Sequence, residues 1–522
     1  MTGVGLLTRF ALRRSRVLVL AWAVVLTSLC YASAAATDGL YPTSADRVSA
    51  AESVNASSAL VALYGPIVDV HSLGELAMTK TTVTYAVLVM ALVIALVRRH
   101  TRVEEESGRA ELLGGLAVDP RAPLVSAIAV GAVVSVLVAG LAAAGDVAGG
   151  LPVVGSLWFA GSWLGIGLVG TGIGAVTAQV SADARTCGAV AAGVVAALFG
   201  LRALGDTTSA GWLAWLSPFG WSTRLHAWSG PRGWVLLLDL ALALALAVAA
   251  LALRAHRDLG GGLLADRPGA ATGPRRLADV IALNLEVHAT TLAVWTVACA
   301  LLGALMAAIV PGVGSLFDSD RARELMERLG GVGAVQETLV AALVSVGAVV
   351  ITCFVATVVG HAGAEEQDGR TEEVLATATT RSRAFAAIAV VALGGAAWLL
   401  LVTGSAMALG SLGTQVSAAG VLGAALVQIP AVWVVAALAL LAVAVRSGWG
   451  IAGWVLVVGF FVLGPLAELL RLPGWVAGLS PYSHVPKVPA QPLHALPEVL
   501  LTLLATLLVL AAWWRYRERD IG

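Results

Sequence analysis

Two short charged segments interrupt an otherwise apolar chain, and their residue types match. One runs from Glu104 to Arg121 and the other from Glu365 to Arg383. Each reads as an acidic cluster, a Gly-Arg pair, a glutamate-hydrophobic-leucine triplet and a later arginine, with one extra residue in the second copy. Carboxylates and leucines in this pattern are typical of a surface that contacts another protein and not of a catalytic site. The matching positions are Glu104, Glu105, Gly108, Arg109, Glu111 and Leu113, and Glu365, Glu366, Gly369, Arg370, Glu373 and Leu375.

For one such segment alone, solvation of a turn between two helices is the ordinary explanation. Two copies at matching positions favour a function. We expect a short helix across the membrane face, with Glu104, Glu105 and Glu111 on its wet side and Leu112 and Leu113 packed back towards the membrane. The glycines of the two Gly-Arg pairs would permit a sharp change of direction. Such an element suits insertion into a groove on a cytosolic protein.

Three polar side chains fall inside apolar runs, where they could line a substrate path. Asp239 lies in the sixth run, and Gln179 and Gln428 lie in the fourth run of each half. A carboxylate at the bilayer centre costs roughly 2.5–3.5 kcal/mol, but Asp239 is expected nearer the outer interface. We therefore prefer a capping or interhelical hydrogen bond over proton coupling for this residue.

Aromatic residues cluster near the expected outer face of the membrane. Belts of Trp and Tyr at the interface are common, and an exit gate for an apolar substrate is the sharper alternative. The candidates for such a gate are Trp215, Phe219, Trp221 and Tyr482.

Motifs for catalysis and for metal binding are not apparent in the sequence. It contains no H-E-x-x-H, no G-x-S-x-G elbow in a suitable setting and no phosphate loop of the form G-x-x-x-x-G-K-[ST]. The four cysteines lack the spacing of a metal site or a disulfide framework. A net charge of zero argues against nucleic-acid binding. We therefore expect no metal or cofactor on this chain, and a membrane-embedded enzyme is the weakest hypothesis.

The composition identifies an integral membrane protein. The 522 residues are 59% hydrophobic and 12% charged, with a mean hydropathy of +0.89, whereas soluble domains carry about a quarter charged residues. Long apolar runs become helices in lipid. The first run is read as a membrane span and not as a cleaved signal, because about 20 residues cross the bilayer. We predict an all-α protein with twelve transmembrane helices near residues 17–36, 82–97, 124–145, 158–180, 187–205, 233–253, 290–310, 338–359, 384–410, 420–445, 449–469 and 498–514.

The placement of arginine predicts the orientation. An even number of spans puts both termini on one side, and most of the 32 basic residues then fall in the segments on that side. The positive-inside rule therefore predicts cytoplasmic termini. The composition, which is rich in Arg, Ala, Gly and Val, suggests a bacterial cell membrane.

The twelve spans divide into two sixes that read as a repeat. We predict a first half at residues 1–253, a polar linker at 254–279 and a second half at 280–522. Trp22 and Trp295 lie at similar points of the first span in each half, and Ser217-Pro218-Phe219 matches Ser480-Pro481-Tyr482 in the last outer loop. Because six spans separate the copies, the repeats are parallel and have the same orientation.

At the acidic segments the chain resembles a known family. The acidic cluster, the glycine, the Glu-hydrophobic-Leu triplet and their place between the second and third spans look like the coupling-helix loop of type-2 ABC exporter permeases. Short amphipathic segments before the first span of each half, Leu6–Ser15 and Leu277–His288, resemble the elbow helix of that family. The chain is similar to the fused six-plus-six permeases of actinobacterial polyketide-antibiotic and multidrug exporters, which also carry a stretch like Leu63-Tyr64-Gly65-Pro66. The second copy departs by having Thr379-Thr380 where the first has Asp119-Pro120.

The resemblance implies that ATP is hydrolysed elsewhere. ATP and Mg²⁺ would bind to separate ATP-binding subunits, two copies of one chain, and the two acidic loops would dock on them. A hydrophobic small molecule would leave the cell through the permease. The main rival is a proton-driven secondary transporter with two six-helix halves, which would need an essential acid deep in the bundle. A non-transporting scaffold is a third hypothesis.

Overall fold

A computed structural model describes residues 2–115, 117–258, 260–263, 277, 279–310, 331–412, 416–464 and 473–520. Over these residues the secondary structure is helical, with turns and no strand. The predicted all-α fold class is therefore confirmed. The side chains of residues 59, 113, 114 and 331–335 lie outside the description.

Eleven helices in the described part of the chain are long and apolar enough to cross a membrane. Each of them covers one predicted span. The remaining prediction, residues 449–469, falls on the shorter apolar helix Ser447–Leu463 and continues into residues outside the description. The twelve-span layout therefore stays a prediction. The eleven are Val4–Leu40, Leu73–Glu106, Ala122–Ala148, Val153–Thr177, Ala184–Thr207, Val235–Ala255, Val280–Ile309, Gln336–Gln367, Arg381–Gly410, Ala418–Val445 and Ala495–Glu518.

The chain forms two compact units, Met1–Gly269 and Ala270–Gly522. The division falls within the linker predicted at residues 254–279, while the bounds of the halves remain predictions. Unit 1 contains α1 Val4–Leu40, α2 Ser44–Ala56, α3 Ser58–Tyr64, α4 Leu73–Lys80, α5 Ala86–Arg99, α6 Arg102–Glu106, α7 Arg109–Gly114, α8 Ala122–Ala148, α9 Val153–Thr177, α10 Ala184–Thr207, α11 Pro218–Arg224 and α12 Val235–Ala255. Unit 2 contains α13 Val280–Ile309, α14 Gly331–Gln367, α15 Arg370–Leu375, α16 Arg381–Ala389, α17 Gly395–Gly410, α18 Ala418–Leu426, α19 Ile429–Val445, α20 Ala452–Leu463, α21 Gly474–Ala477 and α22 Ala495–Glu518.

The centre of unit 1 is α9, which packs against α5, α8 and α12. Small residues make this possible because they let membrane helices approach closely. A Cβ added at Gly167 of α9 would lie 2.3 Å from the Ser135 hydroxyl of α8. In unit 2 the extensive contacts include those between α19 and α22 and those between α13 and α17. In both units the last long helix, α12 or α22, therefore packs on the fourth long helix, α9 or α19. In the predicted layout, α12 and α22 are the sixth spans, and they are given that name below.

A π turn interrupts one span in each unit, at Thr81–Tyr85 and at Val390–Gly394. In both cases a tryptophan from the fourth span donates its indole N–H to a carbonyl of the turn. Trp163 donates to Thr81 at 3.1 Å, and Trp433 donates to Leu393 at 3.0 Å. These bonds satisfy carbonyls in a buried region where water is scarce.

The surface of the long helices is apolar. On α12 the exposed side chains include Leu240, Leu244 and Val248, and on α22 they include Leu503 and Leu507. Their spacing of three or four residues places them on one face of each helix. Large exposed apolar faces of this kind fit contact with lipid, and they agree with a multi-pass membrane protein.

Two local expectations need correction. The predicted elbow Leu6–Ser15 is not a separate helix, because α1 runs unbroken from Val4 to Leu40. In unit 2, residues 280–288 of the predicted elbow likewise form the beginning of α13. The connection that follows α1 contains α2, which Thr43 caps through a reciprocal bond with Asp46.

Candidate functional site

The two acidic segments adopt the same backbone path. In unit 1, α6 ends at Glu106, Gly108 has a φ of 71°, and α7 begins at Arg109. In unit 2, α14 ends at Gln367, Gly369 has a φ of 78°, and α15 begins immediately at Arg370. Positive φ in this range is adopted far more readily by glycine than by residues with a Cβ atom. Each Gly-Arg pair therefore marks a reversal between two helices, as the sequence pattern predicted.

The helix register corrects the alignment of the two copies. Both short helices start at the arginine that follows the glycine, so their third residues, Glu111 and Glu372, correspond. The extra residue inferred in the second copy does not lie before this glutamate. Glu373 is consequently the counterpart of Leu112. Matching the Glu-hydrophobic-Leu triplet aligned the side-chain types but not the helix positions.

The first glutamate of each acidic cluster binds the arginine that follows the glycine. Arg109 Nη1 lies 3.4 Å from Glu104 Oε1, and Arg370 Nη1 lies 3.0 Å from Glu365 Oε1. Glu104 is also paired with Arg14 of α1. The hydrogen bond to Glu365 and the charge of that carboxylate raise the pKa of Arg370 above its ordinary value. These pairs hold each short helix against the helix that precedes it.

The second glutamate of the first cluster, Glu105, is buried in an ion-pair network. Arg257 donates two hydrogen bonds to it, from Nη1 to Oε2 at 2.8 Å and from Nη2 to Oε1 at 2.6 Å. Arg102 adds a third at 2.7 Å. Only 9% of the Glu105 side chain is exposed. The expectation that Glu105 lies on the wet side of the loop is therefore wrong, because two arginines draw it inward.

The second cluster repeats this arrangement. Glu366 is paired with Arg519, and each side chain is 8% exposed. Arg519 directly follows α22, and Arg257 lies two residues after α12. The buried glutamate of each acidic segment is thus tied to an arginine just beyond the sixth span of the same unit.

Further bonds connect each segment to the end of the fourth span. Arg102 Nε donates to the Ala178 carbonyl at 2.9 Å, and Arg257 Nε donates to Gln179 Oε1 at 2.7 Å. In unit 2, Gln367 Nε2 donates to the Ser447 carbonyl at 3.3 Å. Gln179 therefore lies just after α9 and not inside the fourth span as expected, while its place on a substrate path stays a prediction.

The residues left on the surface differ between the two segments. Glu111, Glu372 and Glu373 are exposed. Leu112 is 77% exposed, so the expectation that it packs back towards the membrane is wrong. Leu375 packs partly against the core of unit 2. The side chain of Leu113 lies outside the described residues.

A cavity of about 250 Å³ lies beside the first acidic segment. Its walls include Phe10 and Arg14 of α1 and Glu104 of α6. Leu124 of α8 and Arg257 line it as well. The cavity therefore lies between α1, the first acidic segment and the beginning of α8.

The polar groups inside the spans are isolated. Asp239 is 2% exposed, and a Cβ at Gly165 would lie 2.7 Å from its Cγ. Among the described residues, Asp239 Oδ1 and Gln428 Oε1 have no hydrogen-bond partner, and neither has either oxygen of the fully buried Asp146. Sequence reasoning missed Asp146, although an acid near the end of the third apolar run was visible. The roles of Asp239 and Gln428 stay predictions.

The predicted aromatic gate residues make packing contacts within their own units. Trp221 Nε1 donates to the Trp215 carbonyl at 2.7 Å, and Phe219 is fully buried. Tyr482 is buried in unit 2, where its hydroxyl lies 2.5 Å from that of Thr352. Burial raises the pKa of Tyr482. These contacts suit a packed cap of each bundle, and a gate remains a prediction.

Similarity to known proteins covers the whole chain. A family model described as Multidrug efflux system permease Rv1217c, C-terminal domain, matches residues 277–517. The chain is 34% identical over 528 residues to the Multidrug efflux system permease protein Rv1217c of Mycobacterium tuberculosis (strain ATCC 25618 / H37Rv), with 100% of this chain and 95% of that protein covered. The resemblance to ABC-type exporter permeases that the acidic segments indicated is thereby confirmed. The chain is a transport permease of the membrane, and it belongs to the family of multidrug efflux system permeases.

Proposed function

We propose that this protein is the membrane permease of an ATP-driven exporter. ATP and Mg²⁺ would bind to two copies of a separate ATP-binding chain, and each acidic segment would dock on one copy. The observation that carries this proposal is the repeated geometry: a left-handed glycine followed by a short helix whose third residue is an exposed glutamate, Glu111 or Glu372. Two equivalent projections suit two equivalent partner subunits.

The exposed carboxylates supply the chemistry of docking. Glu111 in unit 1 and Glu372 and Glu373 in unit 2 project from helices of only six residues. Their charges would meet basic side chains in a groove of the ATP-binding chain. Complementary charge of this kind fixes register and partner choice more than it adds affinity.

Both termini are proposed to be cytoplasmic. The Asp119 amide donates to the Thr2 carbonyl at 3.3 Å, so the N-terminus lies at the acidic segment of unit 1. Arg381 Nη1 donates to the Arg519 carbonyl at 3.0 Å, so the end of α22 lies at the segment of unit 2. ATP-binding subunits are cytosolic, and docking on them therefore requires this end of each unit to face the cytoplasm.

The proposed substrates are hydrophobic small molecules, exported in the manner of multidrug efflux. The name of the mycobacterial relative supports this class. The apolar surfaces of the spans would admit such molecules from the inner leaflet.

Charge reversal tests the docking. Glu111→Arg and Glu372→Arg, made together, should abolish the stimulation of ATP hydrolysis by a fluorescent amphipathic cation and stop its efflux, while membrane insertion persists. The matched control is Glu52→Arg, which reverses an exposed charge on α2. Co-purification with the ATP-binding chain and dye transport in vesicles are the measurements. Wild-type transport by the double variant would refute docking through these helices.

A proton-driven mechanism gains no support from the buried acids. Asp146 lies near the end of α8, roughly 36 Å from its start at a rise of 1.5 Å per residue. Asp239 lies in the first turns of α12, at the end opposite Arg257. Both acids are therefore far from the acidic segments and near the opposite membrane interface. Efflux that stops when the proton gradient is dissipated at constant ATP would favour the rival.

A further inference from the structure

The buried glutamates connect each acidic segment to the end of the sixth span of the same unit. Glu105 and Glu366 each reach an arginine just past the sixth span of their own unit. The sixth spans, α12 and α22, pack extensively on the fourth spans, α9 and α19. A displacement of the segment therefore has a direct route to two spans in each unit.

We propose that Glu105–Arg257 and Glu366–Arg519 are struts, that is, positioning pairs that transmit movement of the acidic segments to the sixth spans. This inference rests on the proposed function, and it adds a role for residues that do not touch the ATP-binding chain. Docking is assigned to the exposed glutamates, and transmission is assigned to the buried ones.

The geometry of the first strut suits the transmission of force. The guanidinium of Arg257 holds both oxygens of Glu105, which fixes orientation as well as distance. The same guanidinium is held by Gln179 and by the Gly261 carbonyl at 2.7 Å. Burial limits screening of the pair by salt. An exposed ion pair on flexible side chains would not couple two backbones in this way.

The second strut, Glu366–Arg519, is a single ion pair, and a further contact at the other end of the acidic segment supports it. Arg381, at the start of α16, donates to the carbonyls of Arg517 and Arg519 at 2.9 and 3.0 Å. Both ends of the second acidic segment thus hold the end of α22. The helix between them, α15, has no buried residue, and its last residue, Leu375, packs only partly against the core, so these two attachments contribute much of its link to the bundle.

The two struts differ in redundancy. Glu105 is shared by Arg102 and Arg257, whereas Glu366 has Arg519 as its ion-pair partner among the described residues. Loss of Arg519 should therefore disable its strut completely. Loss of Arg257 should leave a residual link, because Arg102, which lies in the acidic segment itself, also donates to the Gly261 carbonyl beyond the sixth span at 2.8 Å. The phenotype of Arg519→Gln is expected to be the stronger of the two.

A charge swap distinguishes a strut from a pair that only stabilises the fold. The full chain is reconstituted in vesicles with the ATP-binding chain that co-purifies with it, and ethidium transport, ATP hydrolysis and melting temperature are measured. Glu366→Arg and Arg519→Glu are tested singly and together. Arg515→Gln is the control, since Arg515 is an exposed arginine on the same helix.

Each single variant should lower transport per ATP hydrolysed by about fivefold or more, within the range typical of coupling between sites. The double variant should recover most of that ratio, and Arg515→Gln should leave it unchanged. Glu366→Gln provides a milder single change if a reversal fails to insert. An unchanged ratio in all singles, or a fall in melting temperature with a constant ratio, would overturn the proposal.

Failure of the struts differs from failure of the proposed function. If charge reversal of Glu111 and Glu372 uncouples ATP hydrolysis from transport but the strut variants do not, docking through the exposed glutamates stands. Movement is then transmitted by another route. If wild-type ethidium efflux does not require ATP, the ATP-driven function is refuted, and the struts fall with it.

Discussion

The indole N–H of Trp163 points at the Thr81 carbonyl, where a π turn begins in the second span of unit 1. Trp163 is fully buried, so water cannot replace this bond. The turn and the tryptophan lie on different spans, and the bond therefore fixes the fourth span against a widened part of the second.

Replacing this tryptophan should destabilise unit 1. Trp163→Phe leaves the Thr81 carbonyl without its donor, and a buried unsatisfied group costs about 1–3 kcal/mol. We expect a lower melting temperature in detergent. Trp212→Phe is the control because Trp212 is largely exposed. Equal melting temperatures for the two variants would show that the bond contributes little.

The reversal at Gly108 should tolerate asparagine better than alanine. The left-handed conformation costs roughly 1–2 kcal/mol for an ordinary residue, and asparagine visits it more readily. No atom lies within 4 Å of a Cβ at this position, so strain and not crowding sets the effect. Gly108→Ala should impair ATP-coupled efflux and Gly108→Asn should largely preserve it.

The control is Gly140→Ala in α8, where the space is also open but the backbone is helical. That variant should be at least as stable as the wild type, since alanine is the better helix former. If Gly108→Ala and Gly140→Ala behave alike in dye transport, the left-handed turn is not needed.

The tips of the two short helices should be interchangeable. Leu112 corresponds to Glu373, and under the proposed docking on two copies of one ATP-binding chain, the same groove would accept both side chains. Leu112→Glu should therefore retain coupling, whereas Leu112→Arg should lose it. Co-purification and ATPase stimulation are the readouts. Loss of both in Leu112→Glu would indicate two different grooves, and hence two different partner subunits.

Neutralising the unpartnered acids should not stop export. Asp146→Asn and Asp239→Asn remove the groups that a proton-driven mechanism would use, and they keep side-chain size. We expect ATP-driven ethidium efflux at the wild-type level over the pH range of the assay. Abolished efflux with normal insertion and normal ATP hydrolysis would contradict this expectation.

The sequence predicts the spans well because lipid imposes one simple demand, that backbone groups be paired inside each segment. Apolar runs of sufficient length, such as the one at residues 17–36, therefore become helices wherever they occur. The loops were also recognisable, because a polar motif in an apolar chain is conspicuous. The sequence also indicated a sharp change of direction at Gly108 and Gly369, whereas their left-handed conformation is known from the structure.

The environment of individual polar residues was not predictable in the same way. Glu105 was expected on the wet side because nothing near it in the sequence identifies Arg257, 152 residues away, as its partner. The same distance effect misplaced Gln179. The π turns depend on packing between spans, and no local residue pattern marks them. The burial of a polar side chain depends on the assembled bundle, and the periodicity of the sequence alone does not predict it.

The position of Arg257 and Arg519 beyond their last helices bears on how such a protein can be built. Each half contains both members of its own glutamate–arginine pair once its chain extends a few residues past the sixth helix, and the first half also contains the Gly261 carbonyl that binds Arg257. Joining two such genes in tandem would preserve both arginine contacts, provided that the added connection began after that point. A permease with two such halves can therefore be built by joining them end to end, with neither acidic segment altered.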